Sequence, residues 1–172
     1  MRKIILGVAV SLDGFIEGPK GEYDWCFLDQ DYGMKAFMER IDAIFYGRKS
    51  YDAMTKEFGN SGGNPFTGKK NYVFSTTLTQ VPGAHLIGGD FVYKVNQIKQ
   101  EDGKDIWLFG GAALTTSLMN AGLVDELSLA VHPIILGSGK LLFHGIKGRI
   151  KTELTDTKTY STGLVSLHYR IV

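Results

Sequence analysis

The sequence predicts an α/β sandwich, a mostly parallel central sheet with antiparallel strands at its carboxy-terminal end. Three observations predict it. The stretch Ile106–Leu118, IWLFGGAALTTSL, is a short apolar run closed by two glycines and followed at once by a helix-forming segment. A parallel strand buried on both faces reads this way. The same alternation of apolar run, turn and amphipathic segment recurs through the first 120 residues, after which the chain offers strands alone. At 172 residues it is expected to form one domain, 1–172, able to bury about two-thirds of its unfolded surface.

Taken in order, Lys3–Ser11 (KIILGVAVS) reads as a central strand, because both of its faces are apolar. Leu12–Trp25 is a loop punctuated by Asp13-Gly14, Gly18-Pro19 and Lys20-Gly21, long enough to serve as a lid or binding loop. Tyr32–Arg40 is a helix with Met34, Phe37 and Met38 on its inner face. Ala43–Tyr46 is a second strand, and Gly47-Arg48-Lys49-Ser50 opens the next helix. Gly59–Gly68 is an exposed, mobile loop by composition, and Lys70–Ser75 a third strand. Ala84–Ile87 is the fourth strand, and Phe91–Gln100 a helix turning Val92, Val95 and Ile98 inward. Ile106–Phe109 is the fifth strand, its helix ending near Ala121-Gly122. Asp125–Leu136 reads as a long sixth strand turned by Gly137-Ser138-Gly139, and Lys151–Lys158 with Leu164–Val172 closes the sheet as an antiparallel pair.

Composition narrows the function. A formal charge of +1 leaves neither the basic excess of a nucleic-acid binder nor a basic helix for a membrane surface. The apolar run after Met1-Arg2-Lys3 stops at Asp13 without a small-residue cleavage site, so it is a strand and not a signal peptide. No run approaches the roughly 18 apolar residues of a membrane span. One cysteine, Cys26, excludes an intramolecular disulfide and fits a reducing compartment, so a cytoplasmic location is expected. His85, His144 and His168 have no metal-ligand spacing, and no metal is expected. His132, before Pro133 on an apolar strand, reads as a satisfied core or interface histidine.

Three strand ends suit anions. Gly110-Gly111 lets the backbone turn sharply and approach a ligand, and the helix behind it offers unpaired N–H groups and the positive end of its dipole. In Gly47–Ser50, Arg48 and Lys49 sit at a helix N-terminus where cations are unfavourable unless something negative is bound, the alternative being a solvated face. Ser75, Thr76 and Thr77 put three hydroxyls at the end of a strand, as phosphate ligands or as ordinary turn residues. In an open α/β sheet the ligand crevice lies outside the strands' carboxyl ends, so these ends together describe a site for a phosphorylated dinucleotide.

The segments VAVSLDGFI (Val8–Ile16), DAIFYGRKSYDAM (Asp42–Met54), YVFSTTL (Tyr72–Leu78) and Ile106–Phe143, with GLVDEL and P-x-x-x-G-x-G, are where the chain resembles a known family. It is similar to the dihydrofolate reductase-like fold, specifically to the reductase domain of bifunctional riboflavin-biosynthesis deaminase–reductase proteins and its stand-alone bacterial relatives. The resemblance implies a three-layer α/β/α architecture and NADPH as cofactor. It implies Ala9 and Ile16 beside the nicotinamide, phosphates on Gly47, Arg48, Lys49 and Ser50, the 2′-phosphate on Ser75, Thr76 and Thr77, and the pyrophosphate on Gly110, Gly111, Ala112, Ala113 and Leu114. Leu12–Trp25 would be the mobile loop covering the nicotinamide. Relatives that make the riboflavin precursor usually carry a deaminase domain upstream, whereas the first strand here is expected from Lys3.

The expected activity is NADPH-dependent reduction of a small heterocyclic substrate, resembling 5-amino-6-(5-phosphoribosylamino)uracil reductase. The alternatives are a dihydrofolate reductase and a non-catalytic NADP(H)-binding protein. Proton delivery falls to Asp31, its neighbour Asp29, Asp13 or water, and Asp31 equally suits a helix cap. Trp25, Phe27 and Tyr32 are candidate walls of the substrate pocket. The apolar run Leu129–Leu136, interrupted by Pro133, reads as an edge or bulged strand, and by the resemblance such strands contribute to a homodimer.

Overall fold

The computed structural model describes residues 1–59, 66 and 68–172. In chain order the elements are β1 (Ile4–Ser11), β2 (Phe15–Glu17), α1 (Met34–Arg40), β3 (Ile41–Gly47), α2 (Arg48–Gly59), β4 (Lys70–Phe74) and β5 (His85–Ile87). They continue with α3 (Phe91–Gln100), β6 (Asp105–Gly110), α4 (Ala112–Asn120), β7 (Glu126–His132), β8 (Lys140–Leu141), β9 (Thr152–Thr159) and β10 (Val165–Ile171). Most of the glycine-rich loop expected at Gly59–Gly68 lies outside the described residues.

The sheet runs β5-β4-β3-β6-β1-β7-β10-β9. β5 through β7 are parallel, and β10 and β9 add the antiparallel pair. The apolar runs read as doubly buried strands are the centre of this sheet: Ile4, Ile5 and Leu6 of β1 and Ile106 and Leu108 of β6 are at most 1% exposed. One face packs against α3 and α4 through Val95, Ile98, Leu114 and Leu118. The other packs against α1 and α2 through Phe37, Met38, Tyr51 and Met54 around Trp107. Helices on both faces make three layers. At the amino-terminal edge buried Arg2 pairs with Asp42, and buried Lys99 with Asp125 at 2.7 Å, which ties strands and connections together below the core.

Four expectations need correction. The loop at Leu12–Trp25 contains β2, which pairs antiparallel with β8. The strand expected to reach Leu136 ends at His132: Pro133 has no N–H for the ladder, and Ile134 N–H turns back to donate to His132 O. The first helix starts at Met34 and not Tyr32, because Tyr32 (φ 50°) and Gly33 (φ 84°) are both left-handed. Met34 is 46% exposed and Val92 37%, so neither is a core residue. Indeed α1 buries no residue at all, and β9 is exposed along its whole length.

Candidate functional site at the carboxyl edge of the sheet

The three strand ends singled out from the sequence are neighbours. β4, β3 and β6 are adjacent, Gly47 registers with Phe74, and Tyr46 with Gly110. At about 4.8 Å per interstrand spacing, the ends of all three fall within about 10 Å. A methyl group on Gly47 would stand 3.5 Å from Gly110 O, and one on Gly111 3.0 Å from Ser50 Oγ. Gly110 (φ 114°) and Gly111 (φ 80°) hold backbone conformations that other residues rarely adopt. Arg48 donates from Nη1 to Thr77 Oγ1 at 3.1 Å, physically joining the β3 and β4 ends. Ser75 Oγ accepts from Thr77 N and Leu78 N at 3.2 Å, which shapes its turn. Thr76 and exposed Lys49 have no side-chain partner among the described residues, nor has half-buried Ser50.

Two helices, α2 and α4, start on this rim without an acidic residue in the first turn, and the N-cap of α4, Gly111, supplies no side-chain acceptor. A cleft of about 850 Å³ adjoins it, between the first turn of α4 (Ala112, Ala113, Thr116) and the β2–β8 ribbon with Gly18 and Pro19. The ribbon is fastened. Asp13 accepts from Leu136 N and Gly137 N, Leu12 N donates to Ile134 O, Glu17 pairs with Lys140, and farther along the loop Tyr23 donates to Glu57 of α2.

The sheet itself opens beside this cleft. β1 and β6 pair from Ile4 with Ile106 only as far as Leu6 with Leu108, although β1 continues to Ser11 and β6 to Gly110. Gly7 O, beyond the last backbone pair with β6, accepts from the side-chain Nε1 of β6's Trp107 at 2.8 Å. Ala9 lies on the free stretch of β1, opposite Ala130 and on the face that α1 overhangs. Ile16, from the ribbon, packs against the core on the α3–α4 face.

Beyond the opening lies an aromatic enclosure. Trp25 meets the His132 ring edge-on at 5.3 Å, Phe27 lies 5.0 Å from the same ring, and Tyr32 is 4.9 Å from Tyr160. Phe37 and Trp107 crowd over Gly7. The three aromatics expected as pocket walls are therefore brought to one place. Tyr160, Phe37 and Trp107 join them, which the sequence reading did not include. Tyr160 follows a strand that is polar except for Leu154 and exposed along its length, so it carried little apolar signal, whereas Phe37 and Trp107 read simply as core.

His132 is the hub of this enclosure and is satisfied on both nitrogens. Phe27 N donates to Nε2 at 3.1 Å, so Nε2 is unprotonated and Nδ1 carries the hydrogen it donates to Ala130 O at 3.0 Å. Burial lowers its pKa below the usual histidine value and keeps it neutral. Cys26 beside it is held as a thiol, burial pushing its pKa up to about 11.

The carboxylates are placed as anchors. Asp31 accepts from Gly33 N at 3.0 Å and Lys35 N at 2.9 Å, capping α1. Asp29 accepts from Tyr32 Oη. Asp13 accepts from Ser11 Oγ as well as from its two amides, and the Ser11 bond above all, with Gly137 and Leu136, holds its carboxyl below the usual range against the opposing pull of desolvation. Such a group binds a turn well and donates a proton poorly. Among the described residues no cluster of His, Cys, Asp and Glu could hold a metal, and no helix is long and apolar enough to cross a membrane.

The profile of the RibD C-terminal domain family matches residues 2–166. The chain is 45% identical to the Bacillus subtilis (strain 168) protein YyaP over 178 aligned positions, covering 98% of this chain and 94% of that one. Among solved structures, a Shewanella sp. PV-4 protein named for riboflavin biosynthesis superposes with a TM-score of 0.85 at 25% identity, over 100% of this chain and 99% of that one. The Thermotoga maritima diaminohydroxyphosphoribosylaminopyrimidine deaminase/5-amino-6-(5-phosphoribosylamino)uracil reductase superposes at 0.74 and 14% identity, over 99% of this chain and 57% of that one. Enterococcus faecalis dihydrofolate reductase, complexed with NADP(H), superposes at 0.71 and 16% identity, over 98% and 96%. The last two likenesses are likenesses of fold.

Proposed function

Because the chain belongs to the RibD C-terminal domain family, we propose that it is an NADPH-dependent reductase of a small heterocyclic substrate, related to 5-amino-6-(5-phosphoribosylamino)uracil reduction. The observation that carries the reading is the rim: three adjacent strand ends, two helix N-termini without an acidic first turn and one arginine bridging to a threonine, all within the span of one dinucleotide.

The residues fit that cofactor. N–H groups at the starts of α2 and α4 suit a pyrophosphate, with Gly110, Gly111, Ala112, Ala113 and Leu114 on one side and Gly47 and Ser50 on the other. Arg48, Lys49, Ser75, Thr76 and Thr77 supply two cations and three hydroxyls for a 2′-phosphate. The nicotinamide would lie at the opening between β1 and β6, beside Ala9, with the ribbon bearing Ile16 as its cover and the 850 Å³ cleft between that ribbon and α4 taking the rest of the dinucleotide. NADPH, when bound, supplies the hydride, and the protein supplies position and electrostatics. The aromatic enclosure excludes water around a flat ring. Asp31 and Asp13 are occupied as caps and anchors, so the proton comes from water or from the substrate's own surroundings. We further propose a cytoplasmic homodimer, built on the half-buried apolar residues Leu129, Val131 and Leu167 together with exposed Leu154.

The test is NADPH oxidation followed at 340 nm with two substrates, 5-amino-6-(5-phosphoribosylamino)uracil and dihydrofolate. Turnover of the first supports the proposal and turnover of dihydrofolate alone replaces it with the dihydrofolate reductase reading. Tight NADPH binding with turnover of neither favours the non-catalytic binding protein.

A further inference from the structure

The face of the sheet beneath α1 carries polar groups that the cofactor reading does not use. Register places Ala9, Ala130, Ser166 and Lys158 in one row across β1, β7, β10 and β9, and Gly7, Ser128, His168 and Asp156 in the next. On the opposite face the same strands carry Val8, Leu129, Val131 and Tyr169, packed against the core. So β7 and β10 turn their small and polar residues to one side, and α1 on that side has no fully buried residue, only half-buried Phe37 and Met38. The alternation is visible in ELSLAVH and VSLHYRI, and it leaves a floor of glycine, alanine and serine between aromatic walls.

Ser166 stands out on that floor. It is 8% exposed and its hydroxyl has no hydrogen-bond partner among the described residues, yet its oxygen is not sealed off from solvent. Ser11, also buried, has two partners, Asp13 and Phe15 N. A hydroxyl left open to solvent on an otherwise covered floor, with no partner within the protein, is free to bond a ligand at little cost to the fold. Ser128 and His168, both half-buried, have no side-chain partner either. Ser166 stands two interstrand spacings, about 10 Å, from Ala9, which leaves room for one ring and its substituents over Ala130.

We propose that Ser166 is a specificity-determining residue, hydrogen-bonding through Oγ to the edge of a flat nitrogen heterocycle whose faces lie against the aromatic enclosure, with Ser128 and His168 completing the polar side. The proposal rests on the reductase reading, since it takes Ala9 as the position of the reacting ring. A hydroxyl both donates and accepts, so it suits an edge carrying amino and carbonyl groups side by side. A site built to hydrogen-bond a ring edge discriminates strongly against analogues that lack it.

The experiment is calorimetric titration of the full chain, wild type and Ser166→Ala, with 5,6-diaminouracil as the ring probe and, separately, with NADPH. The expected result is saturable binding of the ring by the wild type, weakened at least about tenfold by Ser166→Ala, with NADPH affinity and melting temperature not reduced. No ring binding by the wild type, equal ring binding by both proteins, or an equal loss of ring and NADPH binding overturns the assignment. If Ser166→Ala weakens the ring while neither protein binds NADPH, the reductase reading falls and the role of Ser166 stands.

Discussion

Replacing Arg48 with alanine removes the charge that links two strand ends, and its effect can be worked out from the geometry. The guanidinium is half-exposed, donates to Thr77 Oγ1 at 3.1 Å and lies 3.5 Å from Asp52 Oδ2 one turn along α2. Two unit charges 4 Å apart attract by about 1 kcal/mol in water and about 4 kcal/mol at the effective dielectric of a protein surface. A half-exposed arginine lies between these limits. Part of the attraction is already spent on Asp52, although an exposed pair of that spacing is worth only about 0.3–0.5 kcal/mol. A net loss of about 1–3 kcal/mol follows, so the NADPH dissociation constant should rise about 5- to 150-fold. NADH, which lacks the 2′-phosphate, provides the control in a calorimetric titration: its affinity should change far less. Raising the ionic strength should shrink the wild-type preference for NADPH. An equal effect on both dinucleotides, or no effect on either, would refute the assignment of Arg48 to that phosphate.

Other perturbations test the surroundings. Tyr46 is fully buried and its hydroxyl has no partner among the described residues, so Tyr46→Phe should stabilise the protein by about 1 kcal/mol, a rise in melting temperature of about 2–4 °C. A fall would show that the hydroxyl is satisfied in solution. His132 is kept neutral by burial, its folded pKa lying below the unfolded value of about 6.5. Its contribution to stability is therefore complete above that value and is lost as pH falls towards the folded pKa. Urea midpoints of the wild type should decline between pH 7 and pH 5 more steeply than those of His132→Gln, and parallel declines would remove His132 as the cause. Gly111→Ala forces a side chain to φ 80° and to within 3.0 Å of Ser50 Oγ. It should cost about 1–3 kcal/mol in chemical denaturation, and an unchanged midpoint would mean that the turn relaxes freely.

Much of the architecture is legible in the residues themselves. Ile4–Leu6, Ala43–Tyr46 and Ile106–Leu108 have no polar face, and only a doubly covered sheet buries such runs. The rim is legible for a related reason: glycines and hydroxyls after those runs have no place in a core, and cations at a helix start ask for an anion. What local patterning misses is long-range. The β2–β8 ribbon depends on Phe15 meeting Leu141, 126 positions away, and both strands are too short to announce themselves. Pro133 ends β7 where hydrophobicity alone runs on to Leu136. Met34 keeps helical spacing with Phe37 and Met38 but stays 46% exposed, since only the latter two reach the core around Trp107. Ser166 and Ser128 read as the polar half of an amphipathic strand until register lines them up beside Ala9 and Ala130.

The central claim, that neighbouring strand ends hold one phosphorylated nucleotide, is tested most directly by amide NMR on addition of NADPH. The resonances of Gly47–Ser50, Ser75–Thr77 and Gly110–Leu114 should shift together, saturate at one equivalent, and shift less at Ser75–Thr77 when NADH is used. Shifts confined to one of the three segments, or falling on other parts of the sheet, would contradict it.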